Sequence, residues 1–339
     1  RRDEAESAYR RAADLFAGVG LTARARRCTV QLAGLAVQSG DLERAESLAA
    51  DAAALDVRDA GPLGRAPLDL LCVRIDLAAG RVNEAADAAA ALLAACRRRH
   101  APWVRIEAEW LRGRALAASG RSEDALLAYQ AAIGHLESYR GGVPPDEYMA
   151  AFLAGRSRLY EETVELLLGL GRRAEAFECA ERAKSRALLD LIGGRGGGAA
   201  GLRSFGGLRV QRLKRRLEAV YRRIFQRADE PDARSMRAVA EAQREASVLE
   251  REIGSILRRR AAEDPRSAVI ETVQVPRLDE VRSRLADDET LLEYFAAGDR
   301  LHTFVVTREH LHVVSSPRLE GGVSRVLARV HFHRSKFQR

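Results

Sequence analysis

The sequence predicts a mostly α protein: an α-solenoid of paired helices, then a helical hairpin, then a small antiparallel β meander. Three observations carry this expectation. Gly40, Gly80 and Gly120 recur at a 40-residue step, with small residues at fixed distances behind them. Apolar residues make up 47% of the chain and aromatics only 5%, so alanine and leucine supply the packing surface, which suits close helices. Short β-branched and aromatic runs are confined to a stretch near residue 300.

The repeat is the firmest of these. Five residues beyond each glycine stands an alanine (Ala45, Ala85, Ala125), then Ala49, Ala89 and Tyr129, then Ala52, Leu92 and Ala132. A fourth frame begins at Gly171 with Ala176, Ala180 and Ala183, and stepping back 40 from Ala45 gives Ala5, Tyr9 and Ala12. Upstream of the glycines, Leu32, Leu35 and Ala36, then Leu70, Leu71 and Ile75, then Trp110, Leu111 and Leu116 fall at helical spacing. A glycine ending helix A permits a left-handed cap, and small residues in helix B let the two helices approach closely. The pattern resembles the tetratricopeptide repeat, with a period of 40 residues in place of the usual 34. In this frame residue 1 opens the second helix of a repeat, so the chain is expected to start inside an array.

The array is assigned residues 1–192, and the helix ERAKSRALLDLI closes it. Residues 193–206, with GGRGGGAAG, read as a flexible linker; a phosphate cradle would need a preceding strand and a G-K-[ST] ending. Residues 207–262 carry two apolar stripes, Val210, Leu213, Leu217, Val220 and Ile224, then Met236, Val239, Leu249, Ile253 and Ile256. The turn DEPDAR joins them as an antiparallel hairpin. Within 263–339, TLLEYFAA, RLHTFVVT and HLHVVSSP read as three strands, followed by a helix over VSRVLARVHFHRSKF.

The formal charge of +8 invites a nucleic-acid reading, but Lys184, Lys214 and Lys336 are the only lysines, and acids are interspersed with the arginines. A solvated mixed surface is the better account. Cys28, Cys72, Cys96 and Cys179 show no C-x-x-C pairing, which fits free thiols in a reducing cytoplasm. No run approaches the length of a membrane span.

The order of parts resembles CHAT proteins, in which a tetratricopeptide array precedes a caspase-like domain. The segments AKSRALLDL, LLEYF…GDRLHTFVVTR and RVHFHRSKF carry the likeness. It implies that the parent protein is a cysteine peptidase, and that residues 263–339 are the truncated N-terminal part of an α+β domain. The family's catalytic histidine and cysteine lie downstream of the point matching Lys336 and Phe337, so no residue here inherits those roles. Cys179, the last cysteine, falls at a packing position. The chain is expected to show no peptidase activity and no labelling by cysteine-directed caspase probes.

Among local alternatives, His310 and His312 share a strand face, whereas His331 and His333 do not share a helix face. Nothing completes a ligand shell around either pair, so no metal or cofactor is expected. The groove formed by the first helices is the better site. Counting back from the glycines places Arg27, Arg74, Trp110, Arg114 and Arg158 there, a set suited to an acidic or C-terminal-carboxylate peptide. Solvated arginines with Trp110 in the core are the competing account. The first functional reading is the regulatory, protein-binding portion of a CHAT-type peptidase. The alternative is a free-standing tetratricopeptide adaptor without enzymatic activity.

Two further expectations concern the strands. Leu291, Glu293 and Phe295 should face one side, and Leu292 and Tyr294 the other. With no cover for the sheet, Phe304 and Val306 would be exposed and residues 290–315 would drive self-association, so trimming to residue 192 would give a better monomer.

Overall fold

A computed structural model of the chain describes residues 2–55, 62–96, 101–138, 146–194, 205–227, 233–263 and 277–317. In order these form α1 (Arg2–Gly18), α2 (Thr22–Ser39), α3 (Leu42–Ala54), α4 (Pro62–Ala78), α5 (Val82–Cys96), α6 (Pro102–Ala118) and α7 (Ser122–Ser138). There follow α8 (Asp146–Gly169), α9 (Arg173–Gly194), α10 (Phe205–Arg227), α11 (Ala233–Glu263) and α12 (Leu278–Arg284). The strands are β1 (Leu291–Ala297), β2 (Arg300–Val306) and β3 (Leu311–Pro317). The protein is mostly α-helical with one three-stranded antiparallel sheet among the described residues. It divides into two compact units, Arg1–Gly155 with Leu189–Thr272, and Arg156–Leu188 with Val273–Arg339.

The glycines do what their spacing demands. Gly40, Gly80, Gly120 and Gly171 all have φ between +74° and +79°, a conformation that only glycine adopts without strain. Each closes the same double cap. At the first, the Gly40 N–H donates to Val37 at 3.1 Å and the Asp41 N–H to Ala36 at 3.0 Å. The next helix then starts at once, with the Ala45 N–H donating to the Asp41 carbonyl at 3.0 Å. Gly20, at φ +74°, makes the same turn between α1 and α2.

In the first unit, the small residues mark the helix-to-helix contact. Ala45, Ala85 and Ala125 are all 0% exposed, as is Ala176 in the second unit. A single apolar core runs through α2, α3 and α4, built from Val30, Ala33, Ala49, Leu68, Leu71 and Ile75 among others. Between α6 and α7 the small residue sits on the first helix: Gly113 faces Tyr129, and a Cβ added there would lie 2.4 Å from the ring. First helices also touch one another, α2 with α4 and α4 with α6. By contrast α1, packed on α2, has no buried residue.

α10 and α11 pair through the predicted stripes. Val210, Leu213, Leu217, Val220 and Ile224 are buried on one side, and Leu249 and Ile253 on the other. Glu245 receives Arg216 at 2.9 Å and Arg223 at 2.5 Å, and Glu252 receives Arg209 at 2.9 Å, so part of the basic surface is spent on the hairpin itself. The segments 195–204 and 318–339, with the linker core, the final predicted helix, His331 and His333, lie outside the described residues.

The second unit is a two-layer α/β arrangement. The strands pair in the order β1-β2-β3, with Phe295 opposite His302 and His302 opposite Ser315. Leu291, Glu293 and Phe295 share one face and Leu292 and Tyr294 the other, as the alternation requires. Phe304 and Val306 are not exposed: both are 0% accessible. The reason is that α9 covers this face, with Phe177 meeting the Phe304 ring edge-on at 5.8 Å. Polar contacts border this contact. Glu178 accepts from the Leu278 N–H and Glu161 from the Gly298 N–H, each at 3.2 Å. Lys184 pairs with Glu293, and Glu165 meets His302 at 2.8 Å. Trimming at residue 192 would therefore uncover Phe177. The apolar surface left open is the opposite face, where Leu292, Tyr294 and Val314 are about half exposed.

Candidate functional site

The predicted groove residues separate into three groups. Arg74 lies on α4, and Trp110 and Arg114 lie on α6, the first helices of adjacent pairs. The structure joins them through a residue that the glycine count did not select. Glu107, also on α6, forms an ion pair with Arg74 across the α4–α6 contact. Glu107, Trp110 and Arg114 stand at i, i+3 and i+7, so one ridge carries all three. The Arg114 guanidinium lies 5.7 Å from the centre of the Trp110 ring, and both side chains are half-buried. Helical spacing from Trp110 was the signal that would have found Glu107.

Arg27 lies on α2, half-buried, beside Arg26. Arg26 is turned inward: it is 5% exposed and donates to the Gly64 carbonyl at 2.7 Å. Arg158 belongs to α8, in the second unit, where it stands 3.8 Å from Glu162.

The surroundings of this ridge are mixed in charge. Burial pushes the Asp69 carboxyl upward against the pull of Arg65 and Arg26, and likewise that of Glu109 against Arg112 and Arg105. Burial, with Asp69 and Asp76 nearby, pushes the Cys72 thiol up as well, which holds it in its unreactive protonated form. Cys28, Cys72, Cys96 and Cys179 form no disulfide, and Cys179 is buried in α9 as its packing position implies.

The α4–α6 ridge presents the Trp110 ring beside the Arg114 guanidinium, with the Arg74–Glu107 ion pair on the same ridge. A carboxylate arriving at Arg74 would have to compete with Glu107 for the guanidinium. His310 and His312 lie side by side with ring centres 6.0 Å apart. Among the described residues no group of three or more His, Cys, Asp or Glu side chains is placed to hold a metal ion, and no helix is long and apolar enough to cross a membrane. Compared with protein-family models, with curated proteins and with solved structures, the chain matches none of them.

Proposed function

We propose that this chain is the regulatory, protein-binding portion of a CHAT-type caspase-like peptidase, and that its helix pairs are a tetratricopeptide-type array acting in the cytoplasm. The observation that carries the reading is the repeated geometry: the same glycine-capped hairpin at Gly40, Gly80 and Gly120, with first helices adjacent to one another. Stacked first helices offer successive side chains along one surface, which is how a solenoid holds an extended partner. The ridge of Glu107, Trp110 and Arg114 with Arg74 beside it favours an extended peptide with an acidic or free-carboxylate end, its planar or apolar side chain resting on Trp110.

The order of parts supports the CHAT assignment, since the AKSRALLDL segment belongs to the helix that carries the sheet, and the LLEYF…GDRLHTFVVTR segment forms β1, β2 and their turns. Self-association is a second property of this reading, through the outer face of residues 290–315.

The test is fluorescence anisotropy with labelled peptides ending in a free acidic carboxylate or in its amide. Preferential binding of the carboxylate form, reduced about tenfold or more by Trp110→Ala, supports the reading. Binding unchanged by Trp110→Ala and Arg114→Ala together moves recognition off this ridge. The peptidase assignment is tested separately by reading the coding sequence past Arg339 for a histidine followed by a strand-borne cysteine.

A further inference from the structure

We infer that Ser315 is an activated nucleophile which, with His302 and Glu165, forms a site that accepts acyl groups from esters or thioesters. The site is distinct from the α4–α6 ridge and does not depend on its reading.

The three side chains form one hydrogen-bonded chain. Glu165 Oε1 on α8 lies 2.8 Å from Nε2 of His302 on β2, and Nδ1 of His302 lies 2.8 Å from Ser315 Oγ on β3. An ionised carboxylate can only accept, so the Nε2 facing it carries the proton. In the neutral imidazole this leaves the lone pair on Nδ1, facing Ser315, and the serine hydroxyl donates to it. Nucleophile, base and orienting carboxylate are then in the order that acyl-transfer chemistry requires. The two ring nitrogens are used in the reverse sense from the familiar serine peptidase arrangement, with the acid on Nε2 and the serine on Nδ1. Either nitrogen can take the proton.

Burial and exposure are divided as such a site needs. His302 is 1% exposed, whereas Ser315 is exposed on a strand with no neighbour beyond it among the described residues. The ladder also supplies a donor. At the β2–β3 turn the Thr307 N–H donates to the His310 carbonyl at 2.9 Å, which sets the phase of the alternation. Counting from there, His302 and Ser315 are a non-hydrogen-bonded pair. The N–H of Ser315 therefore points away from β2, to the edge that no described strand occupies, where it can donate to a carbonyl oxygen. An extended acyl or peptidyl group lying along β3 would present its carbonyl there.

In the step itself, Oγ of Ser315 forms a bond to the carbonyl carbon while its proton passes to Nδ1 of His302. The bond from that carbon to the leaving oxygen or sulfur breaks, and the leaving group takes the proton from His302. Water then repeats the sequence, restoring Ser315 and releasing the carboxylic acid. Ser316 provides an internal comparison. It is one residue on, faces the other side of the sheet, and its hydroxyl reaches only the Leu301 carbonyl at 3.5 Å.

The full chain is treated with a fluorophosphonate probe, and the labelled residue is identified by tandem mass spectrometry. The expected result is labelling of Ser315 in preference to Ser316, with the rate lowered on the order of a hundredfold by His302→Gln. Glu165→Gln, on a side chain about a third exposed, should lower it as well while leaving thermal unfolding nearly unchanged. It carries the test if His302→Gln fails to fold. Labelling of Ser315 no faster than Ser316, or equally fast in the folded Glu165→Gln and His302→Gln proteins, overturns the inference.

Discussion

The ring of Tyr129 in α7 occupies the place where any residue but glycine at position 113 of α6 would put its Cβ, 2.4 Å from Cδ1 and 2.5 Å from Cε1. Tyr129 is 3% exposed, so its ring has no free direction in which to retreat. Gly113→Ala is expected to destabilise the array by about 1–3 kcal/mol, measured by denaturant unfolding. Combining it with Tyr129→Ala should cost less than the sum of the two single changes, because the clash disappears with the ring. Strict additivity would show that the two side chains do not compete for one space.

Ala125 makes the complementary case from the second helix. It is 0% exposed, five residues past its cap glycine, and Ala125→Leu should overpack the contact by about 1–3 kcal/mol. An unchanged midpoint in a thermal scan would mean that the helix-to-helix frame is misplaced.

Glu109 should make stability depend on pH in a definite direction. Burial raises its folded pKa above the ordinary 4.5 of the unfolded chain, so the native state holds a proton that the unfolded state has already lost. The contribution favouring the native state is complete below pH 4.5 and is lost as pH rises through the folded value. Glu109→Gln is therefore expected to raise the Tm at pH 7, with the gain shrinking as pH falls below the unfolded value. A gain that persists at acid pH would assign the effect to something other than this titration.

The open face of the sheet predicts association. Leu292 and Tyr294 on β1 and Val314 on β3 are about half exposed, and Tyr294 and Val314 both flank Thr303 in the ladder. Sedimentation of the full chain should show a concentration-dependent oligomer that Tyr294→Glu with Val314→Lys reduces to monomer. A wild-type chain that stays monomeric at high concentration would remove this face as an interface. Phe177→Ala should behave differently, lowering stability by about 3–5 kcal/mol because it removes the cover from Phe304.

The sequence made the helix pairs legible because their determinants are local. A glycine that needs positive φ and an alanine that needs contact both leave their mark at a fixed offset, and Gly40 with Ala45 is read without knowing anything distant. The strands were legible in the same way, through alternation along TLLEYFAA and RLHTFVVT. What covers them was not. Phe177 and Phe304 are 127 positions apart in the chain, and nothing in either segment names the other. The candidate ridge shows the same boundary. Trp110 and Arg114 could be found by counting along α6, but the Arg74–Glu107 ion pair depends on how α4 and α6 lie side by side.

The cap glycines also set how the array can be lengthened. Between Gly40 and Gly80 the described residues form one second helix and one first helix, and a Cβ added at either glycine would meet nothing within 4 Å. Side chains support both turns: Asp41 accepts from the Arg44 N–H at 3.2 Å, and Arg81 donates to Asp76 and to Glu46, each at 2.8 Å. A block of this kind is a cassette. Duplicating it in register presents the same joint at both ends, so the array can grow or shrink in whole steps while each new helix finds the type of neighbour it already has. A change of a few residues inside a helix has no such solution, since it rotates the residues beyond it away from their partners.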